Sequence, residues 1–427
     1  MSTFVDNLRQ DILSSRIKER KLEDDLRNLN KVYAIGAHEA VVFYSARILE
    51  AIMKDAHRLF FGEASYAGAK EPTLAEIETD LFDYNLLVQS RYYWARGLRL
   101  LGNEVRHSLR RITSEEADCA LIFLEFILTW YFCEFPLKQR QTTIFKGASP
   151  QRSAANLLLD LAWTLDRSRL DPKKLQVVFG PRLPDYLDSF SRNFTFPLLL
   201  IEIFIAQEEG HDSASRLVEA LDASAFQPKK ALKDRFTQLK GLLLSREGKL
   251  EEALLVLEAD YARQKNGRQT WVDNETVGIL AGVYKRFWKK GGEELYLSKS
   301  HETYCFGWQR NSNPYLGINA ATTALLLNKP LDAKSIASKV KALLERRRKM
   351  VQEKTAARYD LNYWDLVTLA EANLLLRNLE TSAGLYQQAF SDYQLQPDNI
   401  AVTKKQIALL AEQLKLSDAE SAALLAL

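Results

Sequence analysis

The sequence predicts an all-α protein, and three observations predict it. Only 18 glycines and 11 prolines fall in 427 residues, while Leu, Ala, Glu, Lys and Arg, all good helix formers, dominate. Apolar residues recur with helical spacing along most of the chain. No run of alternating β-branched residues is long enough to build a sheet. The length exceeds what one hydrophobic core supports, so several units are expected.

The elements follow in order. Residues 5–32 read as a long helix with Leu8, Ile12, Leu22, Leu26 and Leu29 on a broken stripe, densely charged between them. A second helix spans Glu39 to Phe60, apolar at Val42, Ala46, Leu49 and Met53. Helices at 74–89 and 91–101 come next, with Gly102 and Asn103 expected to end the latter. A helix at 114–135 opens on Ser114, followed by Glu115, Glu116 and Asp118, acidic groups that suit a first turn. Pro136 and the polar stretch after it predict a linker. Beyond it the pattern gives helices at 153–166, 172–192, 195–208 and 211–222, with Pro181 and Pro184 interrupting the second. These elements divide the chain into a bundle with a long N-terminal helix (1–136), a linker (137–152), connecting helical pairs (153–228) and a repeat array (229–427).

Within the array, "RFTQLKGLLLSREGKLEEALLVLEADY" places Gly241, Gly248, Ala253 and Leu257 at offsets that resemble a tetratricopeptide repeat. Small residues there let two helices approach, and a glycine turn reverses the chain. The logic repeats with Gly282, Ser300, Tyr304 and Gly307, where a longer turn is expected. It repeats again with Trp364, Ala372, Ala383, Ala389 and Pro397.

Charge and cysteine usage narrow the function classes. The formal net charge is only +3, so any nucleic-acid surface has to be a local patch. Cys119, Cys133 and Cys305 are widely spaced, which fits buried free thiols and a reducing cytoplasm and speaks against a disulfide framework or a zinc site. His38, His57, His211 and His301 stand apart from cysteine pairs and from one another, so no metal is expected, and no cofactor motif occurs. The N-terminus is interrupted by charges and reads as no signal peptide. The most apolar run, "CALIFLEFILTWYFCEF", contains Glu125 and is shorter than the ~20 residues a membrane span prefers. A core helix is the expectation, and no membrane association. The basic run "LLERRRKMVQEK" (Leu343 to Lys354) is expected to be a solvated helix face.

One stretch carries candidate chemistry. "LGNEVRHSLRR", Leu101 to Arg111, sets a lone histidine among arginines. Together with "SARILEAIMKDAH" it supplies Ala46, Arg47, Leu49, Glu50, Gly102, Asn103 and His107, which resemble a bacterial helical domain family related to the HEPN superfamily. That superfamily includes metal-independent ribonucleases completed across a dimer, as well as inactive binding modules. The resemblance implies an N-terminal homodimer and, in the active case, an Arg-polar-x-x-x-His motif. Here the arginine position of that motif holds Gly102. Arg99 or Arg106 would have to clamp the phosphate, Asn103 would orient, and His107 would move the proton. Alternatively, His107 is structural, bonded to backbone at a helix start; this reading is favoured.

Arg91, Arg96, Arg99, Arg106, Arg110 and Arg111 also cluster around Tyr92, Tyr93 and Trp94. Basic groups with interleaved aromatics can hold phosphates and stack bases, so RNA is a candidate partner. Acidic neighbours at Asp80, Asp83, Glu115, Glu116 and Asp118 could equally neutralise them. Arg47 and Glu50 stand one helical turn apart and are expected to pair.

A second resemblance covers roughly 230–395. "TVGILAGVYKRFW", "NPYLGINAATTALLL" and "YWDLVTLAEANLLL" occur in order, carrying Gly317, Ile318, Asn319, Ala320 and Ala321, then Tyr363, Trp364 and Asp365. They are similar to the TRAFs-binding tetratricopeptide region of apoptosis-signal-regulating kinase kinase kinases in its bacterial form. No kinase motif accompanies them. Gly317, Ala320 and Ala321 are expected to let helices touch, and Trp364 to fill the groove between neighbours. Bacterial versions of this region belong to signalling and anti-phage systems. The expectation is therefore a cytoplasmic regulator or scaffold whose array recognises a partner protein of the same system or a signal. The alternative is a HEPN-type ribonuclease controlled by the array.

Overall fold

The computed structural model describes residues 20–62, 66, 71–107, 111–131, 135, 195–205, 210–223, 230–266, 272–355, 360–392 and 397–425. Among them the fold is all-α, with no β-strand. The expected linker at 137–152 and the helices at 153–166 and 172–192 lie outside the described residues. Two compact units form: residues 1–213 with 354–359, and residues 214–353 with 360–427.

The first unit contains α1 (Arg20–Ala34), α2 (His38–Phe61), α3 (Leu74–Asp83), α4 (Gln89–His107), α5 (Ser114–Thr129) and α6 (Thr195–Ile205). α2 is central and packs on α1, α3, α4 and α5. It buries Val41, Val42, Ile48, Leu49, Ile52, Met53 and Phe60, an apolar face wide enough to serve several neighbours. Leu22, Leu26 and Leu29 of α1 are buried as their spacing predicts. α5 is buried on nearly every side, from Ala117 through Leu128, so its continuous apolar character is that of a core helix. Among the described residues no helix is long and apolar enough to cross a membrane.

Several local expectations are revised here. α4 does not stop at residue 101; it runs through Gly102 and Asn103 to His107. Gly102 does not adopt a positive φ. It is buried, and a Cβ at its position would collide with the Cβ of Ala46 on α2. Its service is a close helix contact rather than a helix end. The N-cap of α5 is Thr113, not Ser114. The Glu116 amide donates to Thr113 Oγ1 (3.2 Å), and the Thr113 amide donates to Glu116 Oε2 (3.0 Å), a reciprocal capping box. α3 ends at Asp83, and a turn with Asn85 at φ 55° separates it from α4.

In the second unit α7 (His211–Ala223) precedes five helical pairs: α8 (Lys230–Arg246) with α9 (Leu250–Lys265), α10 (Asn274–Gly291) with α11 (Glu294–Asn311), α12 (Pro314–Leu326) with α13 (Pro330–Lys354), α14 (Tyr363–Leu375) with α15 (Leu379–Asp392), and α16 (Pro397–Gln413) with α17 (Asp418–Leu425). The first helices of successive pairs also touch: α8 with α10, α10 with α12, α12 with α14, and α14 with α16. This is the stacking of a helical repeat.

The same devices recur from pair to pair. Each connecting turn carries one left-handed residue: Gly248, Gly292, Asn328, Arg377 or Lys415. The turn of the α10–α11 pair is shorter than that of α8–α9, against expectation. Small residues set the helix spacing. A Cβ on Gly241 would stand 2.6 Å from Leu257, and one on Gly317 would stand 2.6 Å from Val340 and 2.7 Å from Trp308. Ser300 Oγ donates to the Ala281 carbonyl and Ser382 Oγ to the Ala370 carbonyl, both at 2.8 Å, tying second helix to first. Trp364 departs from its expected role: it is 48% exposed and leans edge-on against Tyr363. The basic run of α13 is less solvated than expected, because Arg347 pairs with Asp365 and Arg348 makes a two-pronged contact with Asp360 at 2.6–3.0 Å.

Candidate functional site

In the first unit, the predicted arginines are engaged with their own fold. Arg99 Nε donates to Glu78 Oε2 at 2.7 Å, and Glu78 is fully buried. Burial raises the Glu78 carboxyl above its ordinary range, and Arg99 opposes that rise. Arg96 faces Glu202 of α6 at 3.5 Å. The Arg91 guanidinium lies 5.3 Å from the centre of the Phe126 ring. Arg106 reaches Glu50 at 3.5 Å. Burial pushes Glu50 up, but Lys54 and Arg106 together outweigh it and hold its carboxyl below the usual value. Arg47 does not pair with Glu50 as its spacing suggests; it pairs with Asp25 of α1 at 3.2 Å and lies over Phe43 and Tyr44.

The interleaved aromatics are core residues. Tyr93 and Trp94 are 7% and 1% exposed, and Tyr92 stacks on Phe82. Asn103 and Arg106 are exposed on α4, and Arg111 is exposed just before α5. His107 is the last residue of α4; its side chain and the whole of Arg110 lie outside the described residues. Cys119 is a buried free thiol and Cys305 a half-buried one, while Cys133 is outside the described residues. Burial pushes the Cys305 thiol up to about 11.

The second unit holds a cluster that none of the sequence motifs anticipated. Along α10, Gly278, Gly282 and Arg286 recur at four-residue spacing on one face, with Lys285 and Lys289 beside them. The two glycines leave room for tyrosines. A Cβ on Gly278 would sit 2.9 Å from Tyr315 Cε1, and one on Gly282 would sit 3.6 Å from the Tyr304 hydroxyl. The two rings meet edge to face, with centroids 6.4 Å apart. Tyr315 nonetheless keeps 51% of its surface exposed, while its hydroxyl is bonded to that of Tyr304.

Cations border this ring. Arg286 donates to Ser245 Oγ at the end of α8, next to Arg246. Both residues are exposed as a whole, and desolvation holds both guanidinium groups below their ordinary value. Arg286 adds like-charge repulsion on Arg246. Lys285 Nζ reaches Gln406 Oε1 of α16 at 3.5 Å. Gln406 Nε2 donates to Glu371 Oε1 of α14 at 3.0 Å, and Thr322 of α12 donates to the same oxygen. Burial drives the Lys285 amine down to about 8, against the pull of Glu371. Burial likewise raises the Glu371 carboxyl, against Thr322, Lys285 and Gln406. Five first helices thus contribute to one polar face. The available signal was "VYKRFWKK", which reads as an ordinary charged helix until its neighbours are known.

No curated protein and no solved structure matches the chain. Residues 210–326, from the start of α7 to the end of α12, match the family model described as Tetratricopeptide Repeats-Sensor, so the C-terminal array is tetratricopeptide-like over that span.

Proposed function

We propose that the chain is a regulator or scaffold of a bacterial signalling or anti-phage system, and that its array recognises a partner protein or a signal through the face formed by α8, α10, α12, α14 and α16. The observation that carries this reading is the convergence of Arg246, Lys285, Arg286, Glu371, Gln406 and the open Tyr315 ring on that face. Arg246, Arg286 and the Tyr315 side chain stay exposed on that face, where a partner can reach them. The sensor description attached to the matching family supports the same reading. A metal-independent ribonuclease built on His107, Asn103, Arg99 and Arg106 is the lesser reading, because Arg99 serves the buried Glu78 and Arg106 faces Glu50.

The test is capture from the native extract by the purified full chain, with retained proteins and small molecules identified by mass spectrometry. A Lys285→Gln/Arg286→Gln variant is expected to lose the retained species, and His107→Ala to keep it. The reverse pattern, or degradation of RNA in chelator that His107→Ala abolishes, would overturn the reading.

A further inference from the structure

The apolar core of the second unit is divided. Among the described residues the largest cluster joins α12 through α17, with 25 buried residues between Ile318 and Leu424. A second joins α9 and α10 through Leu250, Ala253, Leu257, Leu280, Val283 and Tyr284, and Leu244 of α8 packs against it. Between them lies a small cluster of Val272, Val277, Ala281, Tyr304, Leu316 and Ala320, where α10, α11 and α12 meet. Resistance to displacement follows the apolar area a segment buries. The array is therefore two blocks, α8–α10 and α12–α17, on a narrower joint. α16 is firmly part of its block: Ile407 and Leu410 are fully buried, Tyr363 Oη and Thr403 Oγ1 lie 2.7 Å apart, and Arg377 donates to the Leu414 carbonyl at 2.6 Å.

Across the inner face the blocks are tied in another way. In a helical repeat each pair touches only its neighbours, yet Lys285 of the second pair reaches Gln406 of the fifth. α12 likewise touches α16, past α14. The first helices converge, and the inner face is closed at this level. The tie between the blocks is one ammonium on one amide oxygen at 3.5 Å, the long limit of a hydrogen bond. Gln406 is aimed by its donation to Glu371 at 3.0 Å, and the charge of Glu371 draws Lys285 the same way. Thr322 in turn holds Glu371. Lys285, Glu371 and Gln406 are all half-buried, so water competes for the tie. Two apolar blocks, a narrow joint and one long polar tie on the inner face are the parts of a hinge.

We propose that Lys285 and Gln406 form a latch that holds the inner face of the array closed, and that the α8–α10 block swings from the α12–α17 block about the α10–α12 joint to open it. This rests on the reading of that face as the recognition surface and adds its regulation. Arg246, Arg286 and Tyr315 are exposed with the latch closed, whereas Glu371, half-buried beside it, is uncovered when the latch opens.

Double electron–electron resonance on the full chain tests the latch, with its three native cysteines changed to serine. Nitroxide labels go on Lys289→Cys in α10 and Lys405→Cys in α16, both at exposed positions. One narrow distance is expected while the latch is intact. Gln406→Ala and Lys285→Met each remove one half of it and should shift the distribution to longer distances. A second label pair, Lys334→Cys with Lys405→Cys, lies inside the α12–α17 block and should keep its distance in both variants, which separates opening from unfolding. An α10–α16 distance that neither variant lengthens would overturn the latch. Equal changes in both label pairs would overturn the rigid block it acts on. The measurement needs no partner: an extract that yields none counts against the recognition reading, while the latch stands or falls on these distances.

Discussion

Lys285 Nζ of α10 and Gln406 Oε1 of α16 lie 3.5 Å apart, although 121 residues separate them. The first helices of the second and fifth pairs thus meet side chain to side chain across the inner polar face. Glu371, bonded to Gln406 from α14, is the carboxylate that acts on Lys285, and Lys289 opposes it. The Lys285 amine is expected to titrate near 8. Between that value and the usual lysine range the unfolded chain binds the extra proton, so this group's contribution to stability rises with pH across the window. Removing Glu371 removes a favourable charge, so Glu371→Gln should lower the Lys285 pKa further. Nitrogen-detected NMR of the lysine ammonium groups measures both; an unshifted Lys285 would contradict the geometry.

Gly102 of α4 faces Ala46 of α2 so closely that a Cβ at residue 102 would collide with the Ala46 Cβ. Gly102→Ala puts a methyl where the Ala46 methyl already stands, and overpacking of this kind costs about 1–3 kcal/mol. The double variant Gly102→Ala/Ala46→Gly should recover part of the loss in urea denaturation. Equal losses in the single and double variants would mean that the glycine serves some other purpose.

Arg99→Ala leaves the Glu78 carboxylate buried without its cation. Breaking a buried pair in this way costs about 3–5 kcal/mol. The partner exchange at the surface is far milder, and Arg106→Ala should cost about 1 kcal/mol or less. Similar losses for both variants in chemical denaturation would show that burial does not separate the two arginines.

The left-handed turn residues make a graded series. Lys415 holds φ 52° with a side chain that prefers otherwise, and Lys415→Gly should stabilise the last pair by up to about 1 kcal/mol. Gly292→Ala, at φ 75°, should destabilise by a similar amount. Thermal melts of the two variants should therefore move in opposite directions.

The helices were legible because their apolar spacing and caps are local signals, and α2 falls within one residue of its expected ends. Gly102 was misread because a sequence cannot tell a glycine that ends a helix from one that admits a neighbouring helix; Ala46, on another helix, decides it. The first repeat pair was visible through its turn glycine, Gly248. Asn328, Arg377 and Lys415 fill the same left-handed position in the later pairs, so the consensus fades while the geometry persists. Trp364 was assigned to a groove by its size, yet its position on α14 faces outward. The cations of "VYKRFWKK" could be seen but not weighed. Their neighbours, Ser245 of α8, Glu371 of α14 and Gln406 of α16, are brought to them only by the fold.

Hydrogen exchange of the full chain, with and without the species it captures from its native extract, tests the central claim most directly. Recognition through the array predicts slowed exchange in α8, α10 and α14, lost together in Lys285→Gln/Arg286→Gln. Protection confined to α2, α4 and α5, with the array unchanged, would contradict it.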